Sequence, residues 1–195
     1  MTILGDKAQT MEEKQQDALT FLPGIFGRDI RKIIMNRSYR NTMEIAQYAN
    51  RLTGIQDIEL FDRHGAAVEE RHFENLEAAL DMVIEKWEQK RADYETEALI
   101  LFTEAEAEHA FLYLEDRLKS RDPDGEYELT YMNRDSQNFK KGLTVTTFYL
   151  AKGLEFDQVF GVFAADAEDG LSKQAKYIAA TRALHELHMY DYKKL

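Results

Sequence analysis

Apolar positions along this chain fall into two alternating patterns. Ile45, Ala46, Ala49 and Leu52 recur at helical spacing. Asn41-Thr42 before them can cap a helix with Glu44 in its first turn, and Gly54 stops the run. Leu76, Leu80, Val83, Ile84 and Trp87 form a longer stripe of the same period and predict an amphipathic helix over residues 74–91. Ala98 to Phe102 is instead a short unbroken apolar run, the mark of a buried strand. Thr103 with Glu106 at the capping-box position opens another helix, expected to end near Leu118. Leu129–Met132, Leu143–Phe148 and Val159–Phe163 read as further strands, residues 172–184 as a helix, and Glu186–Tyr190 as a last strand. Near the start, Thr2-Ile3-Leu4 reads as the end of a buried strand running into Gly5-Asp6, and residues 11–27 as a polar loop closed by Pro23-Gly24. Strands alternating with helices predict an α/β fold, a mainly parallel sheet with helices on both faces. Ligands in such sheets sit at the carboxyl ends of the strands, where the chemistry-bearing segments below are expected to fall.

Composition narrows this picture. The 195 residues suit one domain with its own core, and the apolar fraction of 44% with 31% charged residues is that of a globular protein. No stretch has the length of a membrane span, and the start lacks a signal-peptide pattern. Cysteine is absent, which removes disulfides, thiolate metal sites and cysteine nucleophiles together. We expect a cytoplasmic location. A start inside a strand pattern also leads us to expect a piece of a longer protein.

The formal net charge of −11 speaks against a freestanding nucleic-acid binder, because phosphates attract Lys and Arg. Its distribution changes that inference. Residues 66–130 hold 19 acidic and 7 basic side chains, leaving 17 acidic and 18 basic elsewhere. The acidity is confined to the middle of the chain, where it reads as solvated helix faces. The flanks are neutral enough to hold an anionic ligand locally.

Three segments carry candidate chemistry. Asn36-Arg37-Ser38-Tyr39-Arg40-Asn41-Thr42 combines two arginines, an aromatic and a capping end before a helix; Arg forks match phosphate oxygens and Tyr can stack on a base. The plainer reading is a surface loop with a capped helix. Thr146-Thr147-Phe148-Tyr149-Leu150-Ala151-Lys152-Gly153-Leu154-Glu155-Phe156-Asp157 follows a strand; Gly153 permits close backbone approach and Glu155 can accept from ribose hydroxyls. It lacks the G-x-x-x-x-G-K-[ST] spacing of a phosphate loop, and a turn with exposed charges explains it equally. In Tyr177-Ile178-Ala179-Ala180-Thr181-Arg182-Ala183-Leu184, small residues allow tight helix packing while Thr181 and Arg182 project a hydroxyl and a fixed charge. A lone Arg there is ordinarily a surface residue. Other candidates are plain. His64, His72, His109, His185 and His188 form no metal-ligand set and read as surface residues, and Glu104, Glu106 and Glu108 read as a solvated helix start. Trp87 reads as core.

Together and in this order, these segments resemble the superfamily 1 helicase motifs of the UvrD/Rep/PcrA group. Ser38-Tyr39-Arg40-Asn41-Thr42 resembles motif IV, Ala151-Lys152-Gly153-Leu154-Glu155-Phe156 motif V, and Tyr177 to Ala183 motif VI. Ile3-Leu4-Gly5-Asp6-Lys7-Ala8-Gln9-Thr10 is similar to motif III, the last element of the first motor domain. The interval between motifs IV and V is too short for the inserted domain of UvrD itself, and the compact spacing is similar to the helicase IV-like (HelD-like) branch. The resemblance implies the end of a first motor domain over residues 1–27 and a second RecA-like (P-loop NTPase-type) domain over 28–195. It implies half of an ATP site, with the phosphate loop and the Mg2+-binding acids on the first RecA-like domain of the same protein. Arg40 and Arg182 would reach the γ-phosphate, like arginine fingers, and Tyr39 would stack on adenine. Gly153 and Glu155 would meet ribose or phosphates, and Gln9 would position water or couple nucleotide to DNA. Thr147 and Tyr149 would face single-stranded DNA; relatives usually carry His where Tyr149 stands. The chain alone would not hydrolyse ATP. Some members of the helicase IV-like branch act on RNA polymerase, which makes a polymerase-binding remodelling module the alternative function.

Overall fold

Ala98, Leu99, Ile100 and Leu101 are fully buried, and they build the middle of a parallel sheet whose two faces are both covered. The computed structural model describes residues 24–25, 37–54, 59–121, 123–125, 127–135, 141–165 and 170–194. In chain order the elements are β1 (Arg37–Ser38), α1 (Met43–Thr53), β2 (Glu59–Leu60), β3 (Glu69–Phe73) and α2 (Leu76–Lys90). Then come β4 (Thr96–Leu101), α3 (Glu104–Arg121), β5 (Leu129–Tyr131) and β6 (Gly142–Thr147). The chain closes with α4 (Phe148–Ala151), β7 (Phe156–Ala164), α5 (Gly170–Ala180) and β8 (Ala183–Tyr192). Strands β1 and β2 form a small parallel pair; the others form one six-stranded sheet in the order β3-β8-β7-β4-β6-β5. Every neighbouring pair in that sheet is parallel. The α/β architecture with helices on both faces is therefore the one that the alternating pattern predicts.

Strand alternation divides the core in two. Ala98, Ile100, Val159, Phe163, Leu187 and Met189 meet α1, α4 and α5 on one face. Leu99, Leu101, Val145, Phe160, Val162 and Tyr190 meet α2 and α3 on the other, with Trp87 packed among them. Fully burying one such aliphatic or aromatic side chain is worth roughly 1.5–3 kcal/mol, so the two layers supply the bulk of the stabilisation. The capping box forms as predicted: Glu106 N donates to Thr103 Oγ1 at 3.1 Å, and Thr103 N donates to Glu106 Oε2 at 3.0 Å. Asn75 caps α2 by accepting from Ala78 N.

Several expectations need correction. Thr42 occupies the N-cap of α1, but its hydroxyl makes no cap bond. The helix expected over 172–184 stops at Ala180, and Arg182 lies in a turn rather than on a helix. Strand β3, reading Glu-Glu-Arg-His-Phe, has no apolar alternation and matches no predicted element; it pairs with β8, and Glu69 meets Lys86 and Arg71 meets Met82 Sδ on α2. The motif III-like stretch 3–10, Gln9 within it, and the boundary at residue 27 lie outside the described residues. Among the described residues, no helix is long and apolar enough to cross a membrane.

A polar row runs through the α2/α3 face near the amino ends of the strands. His188, expected at the surface, is buried, stacks on Phe160 and bridges Glu69 and Glu186 at 2.8 and 2.9 Å. The hydrogen bond from His188 holds the Glu186 carboxyl down to about 2, against the burial that raises it. Glu97 has no such partner: it is 1% exposed and neither carboxylate oxygen is hydrogen-bonded. Burial pushes its pKa from 4.5 up to about 7, and the charges of Asp157 and Glu128 push the same way. The Trp87 indole N–H pulls in the other direction without aligning into a hydrogen bond.

Between pH 4.5 and 7 the folded chain therefore keeps a proton that the unfolded chain has lost. Its stability falls as pH rises through that window, and above it the ionised buried carboxyl costs about 3 kcal/mol. Glu97→Gln is expected to remove this loss. Urea unfolding at pH 5 and pH 8 checks it: parallel pH dependence in both proteins would show that Glu97 is not the group responsible.

Candidate functional site

The three segments singled out in the sequence meet, and buried polar contacts hold them together. Asn41, 7% exposed, precedes α1 and reaches the turn after α5: its Nδ2 donates to Ala183 O at 2.6 Å and to Thr181 O at 3.4 Å. That turn exists because Ala179 and Ala180 draw the end of α5 into the core, after which Phe156 N donates to Arg182 O and brings β7 and β8 into register. Arg182 is 1% exposed. Its Nη1 donates to Leu154 O at 3.2 Å, its Nε to Ile178 O at 3.3 Å, and its Nη2 to Thr181 Oγ1 at 3.1 Å. The third link is ionic: Arg40 Nε lies 2.6 Å from Glu155 Oε1, with both side chains about half exposed.

Position corrects the expected location. Glu155 precedes β7 and Arg182 precedes β8, so this cluster lies at the amino ends of those strands rather than the carboxyl ends. The connection from β6 to β7 explains the difference. It leaves the sheet at Thr147, at the carboxyl edge, and re-enters at Phe156, at the amino edge, on the far side of β4. Its middle, α4, packs on the α1/α5 face through Phe148 and Ala151. One motif-like segment thus serves both edges. Thr147, 2% exposed, and Tyr149, 41% exposed with its ring 3.8 Å from that of Phe148, stay at the carboxyl edge. Gly153 and Glu155 belong to the other cluster. Gly153 has φ +89°, which L side chains avoid, and nothing lies within 4 Å of where a Cβ would stand, so the turn leaves open room for a ligand.

Tyr39 is 60% exposed, and its ring centroid lies 5.4 Å from that of Phe61. Residues 61–65 also strap over the rest of this loop, a feature no periodicity marks. Arg63 O accepts from Met43 N at 2.8 Å, and Arg63 Nη1 donates to Arg40 O at 3.1 Å. Gly65 N and His64 Nδ1 both bond the Glu44 carboxylate, each at 2.8 Å. The hydrogen bond from His64 is the chief reason the Glu44 carboxyl is held down to about 2. Gly65 itself is a steric requirement, because a Cβ there would stand 2.5 Å from Thr42 Cγ2. The sequence offered only Gly65 as a cue, since the partners lie about 20 residues away.

Among the described residues no cluster of three or more His, Asp or Glu side chains could hold a metal ion. What the cluster does present is an exposed aromatic, a half-exposed guanidinium paired with a half-exposed carboxylate, and an open glycine turn. Those groups suit an anionic ligand that also carries a planar ring and hydroxyls.

The fold is an α/β domain of RecA-like type, and its candidate chemistry sits on connecting loops at two edges of the sheet. Among solved structures, the chain is similar to the C-terminal domain of a possible DNA helicase from Lactobacillus plantarum WCFS1. The two share 25% identity and a TM-score of 0.63 over 81% of this chain and 89% of that one. It also aligns with the DUF1998 helicase MrfA bound to DNA, at 12% identity and TM-score 0.46, over 80% of this chain and 24% of that one. A third match is the Arterivirus nonstructural protein 10 helicase with DNA, at 12% identity and TM-score 0.37, over 66% of this chain and 29% of that one. No protein-family model matches the chain, and no curated protein matches it.

Proposed function

We propose that this chain is the second motor domain of a cytoplasmic, ATP-dependent DNA helicase or translocase of the UvrD/Rep/PcrA kind, nearest the helicase IV-like branch. The observation that carries the reading is the convergence of the three motif-like segments through the Arg40–Glu155, Asn41–Ala183 and Arg182–Leu154 contacts. Likeness to a C-terminal helicase domain over four-fifths of the chain supports it.

In this reading Tyr39 stacks on adenine, and Glu155, beside the open turn at Gly153, takes the ribose hydroxyls. Arg40 then turns from Glu155 to the γ-phosphate, whose charge it stabilises as the bond breaks. Arg182 joins it by exchanging the Leu154 carbonyl for a phosphate oxygen. The first RecA-like domain supplies the phosphate loop, Gln9 on its last element, and the acids for Mg2+, which would neutralise phosphate charge. ATP draws the two domains together and hydrolysis releases them. Single-stranded DNA crosses the carboxyl edge over Tyr149; Thr147, expected to face it too, is buried and offers no side chain to that surface. The net charge does not oppose this: α2 and α3, both inside the acidic stretch, cover the sheet face opposite α1, α4 and α5.

ATP hydrolysis by this chain alone, and by the same chain joined to its first motor domain with single-stranded DNA present, tests the half-site. Turnover is expected only in the joined protein. Robust hydrolysis by the chain alone would overturn the proposal.

A further inference from the structure

We propose that Arg63 is a positioning residue for ATP turnover, acting through Arg40; this rests on reading Arg40 as the arginine that meets the γ-phosphate. Arg63 meets the candidate ligand surface through the backbone carbonyl of Arg40 and not through the Arg40 guanidinium. Its own guanidinium joins the loop before α1 to the start of β8: Nη1 donates to Arg40 O at 3.1 Å, and Nη2 to Leu184 O at 2.8 Å. The same Nη2 lies 2.7 Å from His185 Nδ1. The guanidinium can only donate, so Nδ1 accepts, and the imidazole proton stays on Nε2, which faces Asp157 Oδ1 at 3.7 Å. Tyr94 lies parallel to that ring, with an interplanar angle of 7°.

The grip on Arg40 is double. While the side chain of Arg63 holds the Arg40 carbonyl, its backbone carbonyl accepts from Met43 N, the first residue of α1. The loop is thereby held at Arg40 and at Met43 by one residue, which is itself bonded to Leu184 at the start of β8. Arg40 itself projects to the surface, where Glu155 is a half-exposed partner and a weak restraint. Its aim toward a phosphate therefore depends on its backbone, and Arg63 sets that backbone. An arginine suits this task because a planar fork directs donors to several acceptors at once, whereas an ammonium is a single compact centre. A misplacement of about 1 Å in a group that acts on the transition state lowers rates by up to roughly 100-fold.

The test is a double-mutant cycle on kcat in the intact two-domain motor, at saturating ATP and DNA. Arg63→Ala is expected to lower kcat about 10- to 100-fold, and the Arg40→Ala/Arg63→Ala protein to turn over no more slowly than Arg40→Ala alone. A role in folding alone would not erase the effect of Arg63 in the Arg40→Ala background. If Arg63→Ala unfolds, Arg63→Lys keeps the charge and at most part of the contacts, and the same non-additive loss is expected. Losses that add, or a normal kcat in Arg63→Ala beside a collapsed kcat in Arg40→Ala, would overturn the inference and leave the half-site reading standing. A normal kcat in Arg40→Ala would overturn both.

Discussion

Arg40→Ala in the intact two-domain motor is expected to lower kcat for ATP by about 10³- to 10⁵-fold, the range measured for arginine fingers. The size follows from where the charge acts. A guanidinium that strengthens its contact as the phosphoryl group loosens stabilises the transition state more than the bound ATP, so kcat and kcat/KM fall together. The fold should survive. Arg40 is about half exposed, its ion pair with Glu155 is of the kind that contributes little in water, and the loop keeps its Asn41 and Arg63 contacts. Arg40→Lys is expected to recover only part of the loss, because an ammonium keeps the charge without the two-pronged fork. Steady-state kinetics with a thermal melt of each variant checks both claims. A kcat within tenfold of the unmodified protein would place Arg40 away from the reacting phosphate.

Local rules carried the fold a long way. The Thr103/Glu106 capping box, the α2 stripe through Trp87 and the apolar run of β4 are determined by residues within one or two turns of each other, so sequence alone exposes them. What escaped depends on partners far away. Strand β3 takes its order from pairing with β8, more than 100 residues later, and from charges on α2. His188 looked like a surface residue because nothing in its neighbourhood announces Glu69. Glu97 sits at the start of an apolar run, where periodicity reports a strand but not that a carboxyl is sealed without a partner.

The candidate site divides in the same way. Its residue types were legible as segments, because a Gly beside a cation and a carboxylate is a local pattern. Its edge was not, since the path of the β6-to-β7 connection over β4 is set by strand order. That path sends Glu155 and Tyr149 to opposite ends of the sheet, although six residues separate them in sequence. The strap of residues 61–65 was hidden for a further reason: Arg63 bonds the carbonyls of Arg40 and Leu184, and a backbone acceptor leaves no trace in the side-chain pattern.

Arg182 poses the sharper question, because its burial gives it two duties. Arg182→Ala is expected to destabilise the domain by roughly 3–5 kcal/mol, since it removes a charged donor from the Leu154 and Ile178 carbonyls and opens a cavity in a 1%-exposed site. For a domain of this size that lowers Tm by roughly 10 °C or more. The same variant is expected to lose at least about 10³-fold in kcat if the guanidinium also reaches the phosphate. Temperature separates the two duties. Well below the Tm of the variant the population is folded, so a purely structural arginine would show near-normal turnover there, whereas a phosphate-facing one would show the full deficit. Arg182→Lys sharpens the contrast, because lysine can keep one carbonyl bond and much of the packing while losing the fork. A melting loss with normal low-temperature kcat would make Arg182 the strut that holds the three segments together, with Arg40 alone at the phosphate.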